Sequence, residues 1–165
     1  MSTRIPSSRR RLVVAAVSLV AAATALLNSP AGAGATSKPL NGRVFAELSS
    51  GPSCASPVGL CAVGEMIGGI QGSIVLTVQS IMPSGTPGLT YVESTSVIHT
   101  KSGDLFLASS AVGNMTGTGD GEFVSLDRIT GGTGKYAGAS GYLQSREFVV
   151  GTSDTGEYEG KLVLP

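Results

Sequence analysis

Residues 129–142 contain the sequence ITGGTGKYAGASGY, in which five of fourteen residues are glycine. A dinucleotide-binding helix needs Gly-x-Gly-x-x-Gly, whereas Gly132 and Gly134 are followed by three residues before Gly138. Each glycine would also cost a helix about 1 kcal/mol. The stretch therefore predicts turns and close strand packing, and it argues against a phosphate-binding helix.

The chain on both sides of this stretch alternates between apolar and polar residues, which is typical of half-buried strands. In 70–79, for example, Ile74, Leu76 and Val78 share one face with Ile70, and polar residues occupy most of the other face. We predict strands at 43–48, 70–79, 89–100, 104–112, 122–130, 136–150 and 157–164. Because long runs can split at a glycine, about seven or eight strands fit after residue 35.

This number of strands predicts an all-β fold, a small closed antiparallel β-barrel of about eight strands. A sandwich is the alternative. The barrel is favoured because closure removes the exposed edges that short strands rich in Val and Ile would otherwise present.

The glycine-rich stretch also resembles a known family. It is similar to the signature of the allene oxide cyclase barrel at Thr130, Gly131, Gly132, Gly134, Tyr136, Gly138, Ala139 and Gly141. The related plant dirigent proteins look similar too, although they usually carry Arg where this chain has Ala137 and Ser140. The resemblance implies an eight-stranded, calycin-like antiparallel barrel with an apolar lumen, often assembled as homodimers or homotrimers.

The same resemblance implies a catalytic Glu in the lumen near the end of the first strand, and Glu47 occupies a comparable place. Phe45 and Tyr142 are the predicted ligand contacts. A carboxylate held in an apolar barrel can stabilise a cation or take a proton with a raised pKa. The alternative is that Glu47 faces solvent, because an acidic residue is rarely buried without a partner.

The first 35 residues have the three parts of an export signal, which are a basic stretch, an apolar run at 12–27 and small residues ending at Ala35. Ser8 to Leu12 also resembles a twin-arginine signal, so export after folding is one possible route. The sequence thus predicts a secreted chain whose single barrel domain covers residues 36–165.

The charge of the remaining 130 residues argues against a nucleic-acid partner. The whole chain has 11 basic and 11 acidic side chains, but residues 36–165 carry 7 basic against 11 acidic, a net charge of −4. The basic residues are scattered singly, whereas a phosphate backbone requires them clustered. No second apolar run is long enough for a bilayer, so we also predict no membrane attachment after signal cleavage.

The chain has two cysteines, Cys54 and Cys61, in a loop rich in Ser, Gly and Pro. In an exported chain, such a pair predicts a local disulfide. Zinc would need about four ligands, and the sequence adds only His99. We therefore predict neither a metal nor another cofactor.

Two functions stay open at this point. In the first, the barrel binds a small apolar molecule in its lumen and catalyses its cyclisation or isomerisation. In the second, it is a non-catalytic binding or structural module whose lumen is filled with side chains. Eight strands can enclose either a packed core or one small ligand, so the number of strands does not choose between them.

Overall fold

The computed structural model describes residues 34–115 and 120–165. Most of the predicted export signal, residues 1–35, lies outside the described residues. The elements are β1 (Thr36–Ser49), β2 (Cys61–Gly68), β3 (Gly72–Pro83), β4 (Leu89–Thr100), β5 (Gly103–Met115), β6 (Gly121–Gly132), a 3-10 turn (Gly134–Tyr136), β7 (Ser140–Val150) and β8 (Ser153–Leu164).

The eight strands form a closed antiparallel barrel. Each strand pairs with the next along the chain, and β8 pairs with β1, where Tyr158 lies opposite Gly42. Because the sheet closes on itself, none of the eight strands in the described part of the chain has an unpaired edge. The predicted fold class is confirmed.

Alternation along each strand decides which side chains enter the lumen. On β7, Leu143 and Ser145 are buried, whereas Tyr142, Gln144 and Arg146 are exposed. This is the behaviour of a sheet with one face toward a core and one toward solvent, since successive side chains point to opposite faces.

One end of the lumen is filled with side chains, most of them aliphatic. This filled end consists of Leu40, Val44, Met66, Ile70, Ile98, Leu105, Leu107, Ile129, Ala139, Leu143, Tyr158 and Leu162. Ile98, Leu105 and Leu143 are almost completely shielded from solvent. Full burial of one such aliphatic side chain contributes roughly 1.5 to 3 kcal/mol to stability, so the filled end is the main hydrophobic core.

The glycine-rich segment closes the filled end. A strand was predicted to begin at Tyr136, but Tyr136 ends the 3-10 turn and β7 begins at Ser140. The turn is tied to the β4–β5 connection, because the N–H of Lys135 donates to the carbonyl of Ser102 at 2.8 Å. Tyr136 packs against the core and Ala139 is buried within it. No helix of the described ranges has the length and apolarity to cross a membrane.

Tyr158 fastens the β2–β3 connection across the filled end. Its hydroxyl accepts a hydrogen bond from the Ile70 N–H at 3.0 Å, and the carbonyls of Ile70 and Ile67 lie 3.1 and 3.2 Å away as acceptors. Burial raises the pKa of this phenol, so it stays protonated and able to donate.

Tyr158→Phe should lower the free energy of unfolding by about 1 to 3 kcal/mol, because it leaves the buried Ile70 N–H without a partner. Urea denaturation measures the change. Tyr142→Phe is the matched control, since Tyr142 is 46% exposed on the outer face and its loss of a hydroxyl should be nearly neutral. Equal stability of the two variants would contradict this role of Tyr158.

The predicted disulfide is present. Cys54 and Cys61 are joined with an S–S distance of 2.04 Å, which closes the loop that leads into β2. The same loop is attached to β3, because the Ser56 hydroxyl donates to the Val78 carbonyl at 2.5 Å. The loop is therefore fixed at the end of the barrel opposite the filled end.

Candidate functional site

The lumen opens into a cavity of about 110 Å³ at the disulfide end of the barrel. Most of its wall is apolar, built from Leu48, Leu60, Ala62, Leu76, Val78, Ile81, Val92, Ala111, Phe123 and Val149. Ile81 is 41% exposed, so the wall reaches the rim of the barrel. We call this space the cup. Its volume is below the roughly 300 Å³ of a typical ligand pocket, so any ligand held inside must be small.

The floor of the cup is polar. Ser109, Asp127 and Glu147 line both the cup and a second cavity of about 40 Å³ toward the filled end, which places them between the two spaces. Asp154 lines the cup but not the second cavity. The three acids come from β6, β7 and β8, which are neighbours in the sheet.

Strand alternation brings these acids inward. Asp127 is two residues from the buried Ile129 on β6, and Glu147 is four residues from the buried Leu143 on β7. An even spacing puts each acid on the same face of its strand as that core residue. A serine stands two residues before each acid, at Ser125 and Ser145. Both serines are buried, so each strand contributes a hydroxyl and a carboxyl to the floor.

The floor contains a continuous chain of four polar groups. Asp127 Oδ1 lies 3.0 Å from Ser125 Oγ, the two serine oxygens are 2.6 Å apart, and Ser145 Oγ lies 2.7 Å from Glu147 Oε1. Each of these three contacts is short enough for a hydrogen bond and needs one proton. The two hydroxyls supply only two, so one of the carboxyls must carry the third. The geometry thus favours a floor that shares one acidic proton.

Burial explains which acid holds that proton. Desolvation, the Asp154 charge and, more weakly, the Asp127 charge raise the pKa of Glu147 to about 7, against a smaller opposing effect of its hydrogen bond with Ser145. Burial also raises the pKa of Asp127, but hydrogen bonds from three serines partly offset the rise. Near neutral pH, Glu147 is therefore the acid favoured to hold the shared proton, while the serine hydrogen bonds favour the ionised form of Asp127.

Asp154 differs from the other two acids. It is only 7% exposed, and its Oδ1 is buried with no hydrogen-bond partner among the described residues. Burial raises its pKa to about 6. In the described parts of the chain, the ion pairs are His99 with Asp104 and Arg146 with Glu122, so no basic side chain is paired with the three acids.

The predicted site residues lie elsewhere. Glu47 is exposed on the outer face, where its Oε2 accepts a hydrogen bond from Thr152 Oγ1 at 2.8 Å. The Phe45 ring is covered from outside by Arg43, 5.0 Å from its centre. Tyr142 is exposed on β7. None of these three side chains enters the lumen. On β1, Phe45 and Glu47 alternate with the buried Ala46, and on β7, Tyr142 precedes the buried Leu143.

A sequence signal for the acidic floor exists. Ser-x-Asp at 125–127 and Ser-x-Glu at 145–147 repeat the same spacing on consecutive strands, in register with the apolar positions that face the core. Polar residues at core-facing positions are unusual unless they have a function.

Among the described residues, no group of three or more His, Cys, Asp or Glu is arranged to hold a metal ion.

Comparisons with known proteins give a likeness among solved structures. A scan against models of protein families and a search of curated proteins found no match. Among solved structures, the chain is similar to a pterocarpan synthase dirigent protein, at 15% identity and a TM-score of 0.34, over 79% of this chain and 86% of that chain.

Proposed function

We propose that this protein is a secreted barrel that binds a small, mainly apolar molecule in the cup and isomerises it by moving a proton. The observation that carries the proposal is the acidic floor beneath apolar walls. Burial away from water raises the pKa of Glu147 to about 7, which suits an acid that must donate a proton at neutral pH.

The proton balance of such a reaction closes without a cofactor. Glu147 gives its proton to one atom of the ligand, while the Asp127 carboxylate takes a proton from another atom. The ligand is thereby isomerised with no net oxidation. The hydroxyls of Ser125 and Ser145 join the two acids, so a proton can return along them from Asp127 to Glu147.

The specific activity and the oligomeric state are part of the same proposal. The allene oxide cyclase activity implied by the glycine pattern of residues 130–141 stays a prediction, and so does assembly into homodimers or homotrimers. A cup of about 110 Å³ favours a ligand much smaller than a long-chain lipid. Export is supported by the Cys54–Cys61 disulfide, since disulfides persist in oxidising compartments.

Binding is tested by native mass spectrometry of the purified protein after incubation with an extract of its host. We expect one small molecule retained per subunit, and the same spectrum gives the subunit number. Ala111→Phe should abolish retention, because Ala111 lines the cup and the larger ring would fill it. Val112→Phe, at the neighbouring exposed position of β5, is the matched control. Retention that survives Ala111→Phe would contradict binding in the cup.

Turnover is tested by repeating the incubation in D₂O. The cup reaches the rim of the barrel, so the floor protons exchange with D₂O between turnovers and an acid–base isomerase then incorporates deuterium into the ligand. Glu147→Gln should slow incorporation by about 10²-fold or more. Glu159→Gln, an exposed acid on β8, should leave the rate unchanged. A ligand that is retained but takes up no deuterium would contradict the proposed isomerisation and favour a non-catalytic binding module. The packed aliphatic end of the lumen also supports that second function.

A further inference from the structure

We infer that the cup selects a small primary ammonium, whose charged head contacts Asp154 and whose apolar part contacts the upper walls. The inference rests on the proposed binding function and adds the chemical class of the ligand. It follows from the unpartnered oxygen of Asp154, from the charge of the floor and from the composition of the walls.

The first step is the unpartnered oxygen. Asp154 Oδ1 is buried beside the cup and has no donor among the described residues. A buried acceptor left without a hydrogen bond costs about 1 to 3 kcal/mol, and more for a charged group. A ligand that brings an N–H donor to this oxygen would recover that free energy, so this side of the cup favours a donor.

The second step is the charge. Three carboxyls line one small space, and within residues 34–115 and 120–165 no basic side chain is paired with them. The charges of Asp154 and, more weakly, Asp127 disfavour ionisation of Glu147. A bound cation would reverse this effect and stabilise the ionised forms, whereas a neutral alcohol would supply only a hydrogen bond.

The third step is the kind of cation. Mg²⁺ and Ca²⁺ in proteins take about six or more oxygen ligands, and most of the cup wall consists of Leu, Ile, Val, Ala and Phe side chains that supply none. A quaternary ammonium has no N–H to donate to Asp154. A primary ammonium combines three donors with an apolar stem, which matches an acidic floor below an apolar wall.

The size of the cup limits the apolar part. A cavity of about 150 Å³ holds benzene, and the cup has about 110 Å³ and continues to the rim. A single ring bearing an aminomethyl group is therefore near the upper limit of what fits with its ring at Ile81, Val92 and Phe123. Benzylammonium is a suitable probe.

Cation binding must be linked to proton release. The titratable groups that line the cup are Asp127 from β6, Glu147 from β7 and Asp154 from β8, with Tyr158 in the smaller cavity below. The surfaces that β1 to β5 contribute to these spaces carry apolar residues and serines. Because a bound ammonium lowers the pKa of the acid it contacts, Asp154 should lose part of a proton when the probe binds near pH 6.5.

The experiment compares benzylammonium with benzyl alcohol and toluene by NMR titration of the purified protein, in wild type, Asp154→Asn and Glu157→Gln. We expect benzylammonium to bind at least about tenfold more tightly than benzyl alcohol, the gain given by a hydrogen bond to a charged group. Asp154→Asn should remove this preference. Glu157→Gln, which neutralises an exposed acid on the same strand, should keep it.

Calorimetry of the wild type in two buffers with different heats of ionisation gives a second readout that needs no variant. Proton release on binding benzylammonium, and none with the alcohol, is the expected result. If the neutral probes bind in the cup as tightly as benzylammonium, or if no proton is released, the ammonium inference is wrong while the binding function stands. If none of the three probes binds, neither proposal holds for molecules of this size. If Mg²⁺ or Ca²⁺ displaces benzylammonium in wild type but not in Asp154→Asn, the site is a metal site and the inference is overturned.

Discussion

Replacing Gly141 by alanine is expected to lower the free energy of unfolding by about 2 to 4 kcal/mol. Two causes add. Gly141 has a φ of +131°, which a residue with a side chain rarely adopts. A Cβ built at this position would also overlap the carbonyl oxygen of Lys161 on the adjacent strand β8. The two strands would have to separate where β7 begins, next to the packed core. Thermal and urea denaturation measure the loss.

Gly131→Ala separates the two causes. Gly131 has a similar φ of +145°, but a Cβ there meets no atom within 4 Å. We therefore expect this control to show the backbone strain alone, about 1 kcal/mol. If Gly131→Ala proved as destabilising as Gly141→Ala, close packing of β7 on β8 would not explain the second glycine.

The protein should become less stable as the pH rises from about 4.5 to about 8.5, by on the order of 5 kcal/mol. Unfolded carboxyls lose their protons near pH 4. Burial raises the pKa of Glu147 to about 7 and that of Asp154 to about 6 in the folded chain. Between these values the folded state binds more protons than the unfolded state. The stabilisation is complete at low pH and is lost as the pH passes about 6 to 7.

The double variant Glu147→Gln with Asp154→Asn should flatten this profile and make the protein more stable at alkaline pH, as urea denaturation across the range would show. Both substitutions keep the size of the side chain and remove the buried charge. Glu157→Gln with Glu159→Gln removes two exposed charges from the outer face of β8 and should keep the wild-type slope. A double variant with the wild-type pH profile would show that the floor acids do not titrate as their burial implies.

The barrel could be predicted from the sequence because its strands are local patterns. Alternation located the strand at Leu89–Thr100 at its observed bounds, and it grouped Ile74, Leu76 and Val78 on one face, which the structure shows to be the inner face. The strand at Cys61–Gly68 was missed. Its eight residues include two glycines, so its alternation is weak, and it is held by pairing with β1 and β3 rather than by its own sequence.

The site was harder to predict because it depends on which face of each strand turns inward. The family resemblance implied that Glu47 lies in the lumen, yet Ala46 and Leu48 take the inward positions of its strand. Asp127 and Glu147 are 20 residues apart in sequence, and only the β6–β7 pairing, with Ser125 opposite Ser145, places them in one chain of hydrogen bonds. Whether a side chain faces the lumen depends on its spacing from the buried residues of the same strand, because successive side chains point to opposite faces.

The division of the lumen into a packed end and an open cup has a consequence for protein engineering. The residues that hold the barrel together and those that would meet a ligand form separate layers, so the second set can be varied while the first is kept. A library at Leu60, Ile81, Val92 and Phe123 changes the walls of the cup without touching the aliphatic core. The chain is therefore a compact scaffold for artificial receptors, in which new specificities can be selected from variants that still fold.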